Sequence, residues 1–294
     1  MGRQRVLMQA VAVSILILCA ALFGCTRAKS TEVSGEGANA PSAAPEADEP
    51  DRHIVAEFGP EDAGKEIPPG WREQTFDPDD FPKKSEYKVI KLEDKYVLRA
   101  RTDGGVSGLY KPVNVKIKDF PYIAWKWRVE QVFEKTDART KEGDDYPARL
   151  YIAFKYDPER VGFFTRATFE LAKRRSEEGE YPPLWALNYV WANKLTENTW
   201  IPNPWQERSK MIAVQSGSQG TGKWRWEVRN YLKDFKAIVG EEPTPIQFIA
   251  VMIDGDGTGS RGVSYFERVE LWSDIPPYAE SDRLPPPREY EASR

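Results

Sequence analysis

Residues 122–130 alternate without a break. Ile123, Trp125, Trp127 and Val129 fall on one side of an extended chain, and Tyr122, Ala124, Lys126 and Arg128 fall on the other. A period of two marks a strand with one packed face, and two tryptophans on that face need a second layer to cover them. The alternation returns at 146–156, where Leu150, Ile152 and Phe154 oppose Arg149, Tyr151 and Ala153. A hairpin is expected from 87–92 and 95–102 across Glu93-Asp94. Further strands are expected at 106–113, 184–193, 210–216, 223–230, 245–254 and 262–272. Helical pattern is confined to 165–178, which runs into Gly179 and Pro182, and to 231–239, which stops at Gly240. Many short strands and two helices predict a mostly β chain. The expected form is an antiparallel β-sandwich or jelly roll, like galactose-binding or carbohydrate-binding modules, with one or two inserted helices.

What holds such a sandwich together is constrained by the cysteines. Both, Cys19 and Cys25, lie in the first 25 residues. The start reads Arg3, Arg5, an apolar run over 6–23, then Gly24-Cys25, the order of an export signal. It resembles a bacterial lipoprotein signal, whose terminal Cys is lipidated and becomes the mature N-terminus. Thr26 after the Cys implies, by that resemblance, the outer membrane. Lipid anchoring through Cys25 in the cell envelope, on the periplasmic side or at the surface, is therefore expected. The mature chain then has a net charge of 40 − 46 = −6 and no disulfide. The segment 26–52 is rich in Ala, Pro, Ser, Gly and Glu and reads as a tether of roughly 30 Å. One domain is expected over 53–273, with a proline-rich unstructured tail over 274–294.

Charge balance also limits partners. With 42 basic and 46 acidic residues there is no excess to bind a phosphate backbone, so nucleic acid is excluded as an expected partner. A single histidine, His53, argues against a His-based triad and most zinc sites.

Four constellations carry chemistry. The turn Asp254-Gly255-Asp256-Gly257-Thr258-Gly259 offers the hard oxygens that Ca²⁺ takes, with Asp254, Asp256 and Thr258 as ligands. It is not an EF-hand, because the twelfth loop position is Tyr265; a tight hairpin is the competing reading. Gly143-Asp144-Asp145 precedes Arg149, which shares a strand face with Asp145 and Tyr151. In Lys223–Asn230, strand parity puts Trp224, Trp226 and Val228 in the core and Arg225, Glu227 and Arg229 on the open side. Asn230 reads as the N-cap of the next helix, with Asp234 following. Trp185, Leu187, Tyr189 and Trp191 form one face, either core or a sugar-stacking platform.

GDDYPARLYIAF, NYVWAN, WRWEVRNYLKDF and IAVMIDGDGTG, in this order, resemble the bacterial family catalogued as domain of unknown function 3047, over residues 67–272. That family usually shows Asp-Thr-Asp-Asn-Thr where this chain has Asp254-Gly255-Asp256-Gly257-Thr258, so an amide is missing here. The resemblance implies an exported β-sandwich and brings no established activity. The expected function is a ligand-binding sandwich for a glycan or acidic sugar. Arg128, Asp145, Arg149, Tyr151, Tyr189, Trp191, Glu227, Arg229, Asn230 and Asp234 would lie along one groove, with the acidic turn at its lip. Two alternatives stand beside it: a hydrolase pairing Glu227 with Asp145 or Asp254, and an envelope assembly protein whose polar groups lock the fold.

Overall fold

The computed structural model describes residues 50–176, 179–278 and 285–291. Cys25, the export signal and most of the expected tether lie outside the described residues. Fourteen strands and two helices follow one another as β1 (Arg52–Glu57), β2 (Arg72–Gln74), β3 (Glu86–Leu92), β4 (Lys95–Asp103), β5 (Val106–Pro112), β6 (Tyr122–Val129), β7 (Tyr146–Phe154), α1 (Phe163–Arg175), β8 (Trp185–Ala192), β9 (Thr199–Pro202), β10 (Ser209–Ser216), β11 (Arg225–Asn230), α2 (Tyr231–Val239), β12 (Ile246–Asp254), β13 (Arg261–Trp272) and β14 (Arg288–Glu289).

The strands form two facing sheets. The smaller is ordered β11-β6-β13-β4-β3, with β1 also paired to β13, and the larger β14-β9-β10-β8-β7-β12-β5-β2. β13 is long enough to serve two neighbours on one edge: Arg261–Phe266 pairs with β4, and β1 takes over at Arg268. Pairing is antiparallel except at β8 with β10 and at β9 with β14. The parallel pair arises because β9 folds back antiparallel on the outer edge of β10, returning β10 in the direction of β8.

Between the sheets, alternation delivers what it promised. Trp125, Trp127, Leu150, Ile152, Phe154, Tyr189, Trp191 and Phe266 all join one buried cluster. Trp125 meets Trp127 edge-on at 5.5 Å and Tyr189 at 5.2 Å, and Trp127 lies 6.1 Å from Trp191. Each such ring contributes roughly 1.5–3 kcal/mol through removal of apolar surface from water. Packing of this kind serves a fold with no cysteine in its described part. α2 closes one end of the sandwich through Tyr231 and Phe235, the latter 4.8 Å from Phe154. Its N-cap is Asn230, whose side chain accepts from Lys233 N at 3.0 Å, and Gly240 ends it at φ 86°.

Two expectations change. The expected parity of 223–230 is inverted: Trp226 and Val228 lie on the outer face of the smaller sheet with Tyr122, Ala124 and Trp272, while Glu227 and Arg229 point inward. The expected unstructured tail is corrected over its described parts. Ile275 packs in the Trp272 cluster, Tyr278 lies 4.3 Å from Trp226, and Arg288–Glu289 extends the larger sheet as β14. That covering tail is the physical reason for the inverted parity, because it makes the outer face apolar enough for tryptophan. Among the described residues, no helix is long and apolar enough to cross a membrane.

Candidate binding site on the outer face of the larger sheet

The single groove expected from the sequence separates into three places. Arg128 lies on the outer face of the smaller sheet, paired with Glu130 at 2.9 Å and over the ring of Tyr265. Tyr189, Trp191, Glu227, Arg229 and Asp234 belong to the space between the sheets. Asp145, Arg149, Tyr151 and the acidic turn lie with the outer face of the larger sheet. Tyr189 and Trp191 are fully buried, so the structure selects core over sugar-stacking platform for this pair.

The interior group is a closed network. Arg229 Nε and Nη2 donate to the two carboxylate oxygens of Asp234 at 2.9 and 2.7 Å, and Nη1 donates to Asn198. The Tyr189 hydroxyl adds a third bond to Asp234 at 2.8 Å. Nearby, Glu227 accepts from the Trp127 indole at 3.1 Å and from Gln215 at 2.9 Å. Burial pushes its carboxyl up to about 8, against the pull of these two donors. Its partners are thus an indole and an amide, whereas Asp145 is bonded to Gly257 and Thr258 of the acidic turn and Asp254 to Arg149. The carboxylate pair required by the hydrolase alternative is not assembled.

The outer-face group is built by β7 and β12, which bring Arg149 opposite Met252 and Asp254 opposite Tyr146. Arg149 is 2% exposed. Its Nε donates to Asp254 Oδ1 at 2.8 Å and its Nη2 to Asp254 Oδ2, a bidentate fork. The same guanidinium serves Asp144, with the backbone oxygen accepting from Nη2 and Oδ1 lying 3.5 Å from Nη1. Tyr151 receives a bond from Nη1 at 3.4 Å. Burial raises Asp254, with Arg149 opposing, and raises Asp144 to about 6 against Arg149 and Asn203. One arginine between two buried carboxylates leaves polar capacity over: among the described residues, Asp144 Oδ1, the Tyr146 hydroxyl, both amide atoms of Asn188 and Ser209 Oγ find no hydrogen-bond partner. Asn188 is opposite Tyr151 on one side and Met211 on the other, beneath this cluster.

The acidic turn is clamped by Asp145. That carboxylate accepts from Gly257 N at 3.2 Å, from Thr258 N at 2.7 Å and from the Thr258 hydroxyl. Gly257 is pressed against the 142 carbonyl, where a Cβ would come within 2.5 Å of oxygen; the missing amide permits this approach. Asp145, Asp254 and Asp256 do converge, with one oxygen of each within 4.8 Å of the others. Yet Asp254 is filled by Arg149 and the Tyr146 N–H, and Asp145 and the Thr258 hydroxyl are bonded to each other. Of the donors expected for Ca²⁺, Asp254 and Thr258 are engaged by the protein itself, Asp254 with Arg149 as its counter-cation.

Trp205 lies outside the residues expected to form the groove. The residue is 52% exposed, with Phe81 edge-on at 6.3 Å and Lys141 Nζ 4.8 Å from the ring centre. Asn203 fastens this loop: its Oδ1 accepts from Trp205 N and Gln206 N at 2.9 and 3.0 Å, and its Nδ2 donates to Asp144 Oδ2 at 2.7 Å. An exposed tryptophan is therefore tied to the Arg149 cluster. The signal was present as Asn203-Pro204-Trp205, a turn dipeptide delivering an indole.

No curated protein matches the chain. Among solved structures it is similar to the K1 cleaved adhesin domain of Lys-gingipain from Porphyromonas gingivalis W83, at 10% identity and TM-score 0.30, covering 75% of this chain and 95% of that one. The K3 cleaved adhesin domain of the same protein gives 8% identity and TM-score 0.30 over 70% and 93%. The family 11 xylanase from Neocallimastix patriciarum gives 8% identity and TM-score 0.28 over 71% and 94%. The family described as "Protein of unknown function (DUF3047)" matches residues 69–270, and the chain belongs to that family.

Proposed function

We propose that this protein is a lipid-anchored envelope component whose sandwich binds a glycan without transforming it. The observation that carries the reading is Trp205, an exposed indole on a loop fastened to a buried Asp–Arg cluster. Sugar rings stack on such flat faces, and a pre-positioned aromatic limits the entropy lost on binding. Lys141 beside the ring favours a sugar bearing a carboxylate. The anchor reading rests on Arg3, Arg5, the apolar run and Cys25.

A panel of neutral and acidic oligosaccharides titrated against the protein tests the binding. A ligand should emerge whose affinity falls about tenfold or more in Trp205→Ala, with the thermal midpoint little changed. Affinity that is indifferent to Trp205, or no glycan bound by the wild-type chain, sinks the proposal. For the anchor, metabolic palmitate labelling should be abolished by Cys25→Ala; equal labelling of the variant removes it.

A further inference from the structure

Asn188 is polar where packing alone asks for an apolar residue. It projects from β8 on the outer face of the larger sheet, flanked on that face by Ala186 and Val190. It is fully buried, and neither its Oδ1 nor its Nδ2 finds a hydrogen-bond partner among the described residues. A buried amide left unbonded costs the fold, whereas an apolar side chain of the same size costs little or stabilises. Side chains of this kind mark places where stability yields to a ligand.

The Trp205 loop meets this residue through its anchor, Asn203. The loop, 203–208, joins β9 to β10 and is closed by Asn203 N donating to the Ser209 oxygen and Ser209 N to the Gln206 oxygen, both at 2.9 Å. Ser209 Oγ is a further unpartnered atom. Asp144, whose Oδ1 is another, accepts from Asn203 Nδ2 through Oδ2 at 2.7 Å. Met211 stands beside Asn188 in the sheet, and its sulfur lies 3.4 Å from the same Asn203 nitrogen. Among the described residues, 204–207 hydrogen-bond only to Asn203 and Ser209, so the Asn203–Asp144 bond holds the tip of the loop down.

We infer that 203–208 is the lid of a sugar subsite whose floor is Asn188, with Ser209 and Asp144 at its edge, and that this floor takes two hydroxyls on adjacent carbons. The inference rests on the glycan reading of Trp205 given above. One amide offers an acceptor and a donor side by side, which fits one hydroxyl donating to Oδ1 while its neighbour accepts from Nδ2. The charge of the surroundings selects an uncharged edge of the sugar. Asp144, Asp145, Asp254 and Asp256 gather about the single guanidinium of Arg149, so an anionic group is repelled there. A sugar carboxylate points instead to Lys141, beside the Trp205 ring. Asn188 is covered in the closed form. Entry therefore breaks the Asn203–Asp144 bond, and Trp205 travels with the lid.

The test adds cis-1,2-cyclohexanediol or 1,4-cyclohexanediol to the ¹⁵N-labelled full chain and follows the Asn188 side-chain amide and the Trp205 indole N–H by NMR. Both rings suit the indole, but only the first diol carries adjacent hydroxyls. The 1,2-diol should shift both signals, and the 1,4-diol should shift Asn188 at least about fivefold less. Asn188→Leu should keep an unfolding midpoint no lower than the wild type and bind the two diols alike through Trp205. An Asn188 signal moved equally by both diols, or by neither, overturns the inference. So does a midpoint several degrees lower in Asn188→Leu, which would show the amide bonded within the fold, for instance to a buried water. If Trp205 responds and Asn188 does not, the floor falls and the glycan reading stands. A response at Asn188 without one at Trp205 sinks both the lid and that reading.

Discussion

Arg149 and Arg229 are both buried, and both fork onto an aspartate, but their surroundings differ. Arg229 meets one carboxylate, and the remaining atoms of the pair are taken up by Tyr189 and Asn198. Arg149 meets two carboxylates, and on its side of the sheet five polar atoms find no hydrogen-bond partner among the described residues. A closed pair is a lock: it fixes α2 against β11 and asks nothing of solvent. A shared arginine with unspent donors and acceptors is a worse solution for stability, and proteins tolerate such arrangements where a ligand or solvent completes them. The contrast sets two arrangements of one chemistry side by side, and the Trp205 loop is tied to the second through Asn203 and Asp144.

The largest effect expected is from Arg149→Leu. It leaves Asp144 and Asp254 buried without their only cation, so urea unfolding at pH 7 should show a loss of about 3–5 kcal/mol. A loss below about 1 kcal/mol would mean that solvent reaches both carboxylates, and the comparison with Arg229 would fail.

Glu227 comes next, through pH. Its folded carboxyl holds the proton up to about 8, against an ordinary 4.5. Between those values the folded state binds more protons than the unfolded chain, so stability falls as pH rises from about 4.5 through 8. Glu227→Gln keeps an acceptor for Trp127 and carries no charge. It should flatten that fall and exceed the wild type at pH 9 by something on the order of 3 kcal/mol. Parallel stability-versus-pH curves for the two proteins would show that Glu227 is already solvated.

How much of this was legible follows from where each signal lives. β6 and β7 were readable because their two faces differ in polarity, and Arg149 lies on the face that alternation assigned to it. β11 was misread because its charged residues Glu227 and Arg229 are buried inward while Trp226 and Val228 are half-buried on the outer face. Trp226 is covered by Tyr278, far along the chain, while Glu227 is satisfied by Trp127 and Gln215 from other strands. Local alternation cannot say which side is in when charged groups find partners in the interior and the tail covers an apolar outer face. β9 went unseen for a similar reason: four residues ending in Pro202 make no periodic signal, and its pairing with β10 supplies the order. The grouping of Arg128 with Arg149 failed because parity assigns a face within a strand and not the sheet to which that face belongs.

A sharper division of the two arginines comes from their aspartates. Asp144 is raised to about 6 from 3.8, so the folded state again retains a proton that the unfolded chain releases, and its contribution weakens as pH rises from about 4 through 6. Asp144→Asn should therefore stabilise at pH 8 by on the order of 1–2 kcal/mol and give no gain near pH 3.5. Asp234→Asn should instead destabilise at pH 8, because it neutralises the sole carboxylate of Arg229. Chemical denaturation of both variants at the two pH values checks this. Destabilisation by both to the same degree would show two locks of one kind.

The smallest effect expected is that of calcium, and it decides what the acidic turn is for. A dedicated site of about 10 μM affinity, held at about 1 mM Ca²⁺, would add ~2.7 kcal/mol and raise the thermal midpoint by roughly 5–10 °C. Asp145, Asp254 and Asp256 have the proximity for such a site. Two of the three are already answered by the Thr258 backbone and by Arg149, whose guanidinium would repel the ion across the same short span. The midpoint is therefore expected to move by less than about 1 °C between chelator and calcium, with Arg149 standing in the role of the cation. A shift of several degrees would reverse that assignment. Arg149 would then have to yield Asp254 to the ion, and the unfinished cluster would be a metal site completed by solvent.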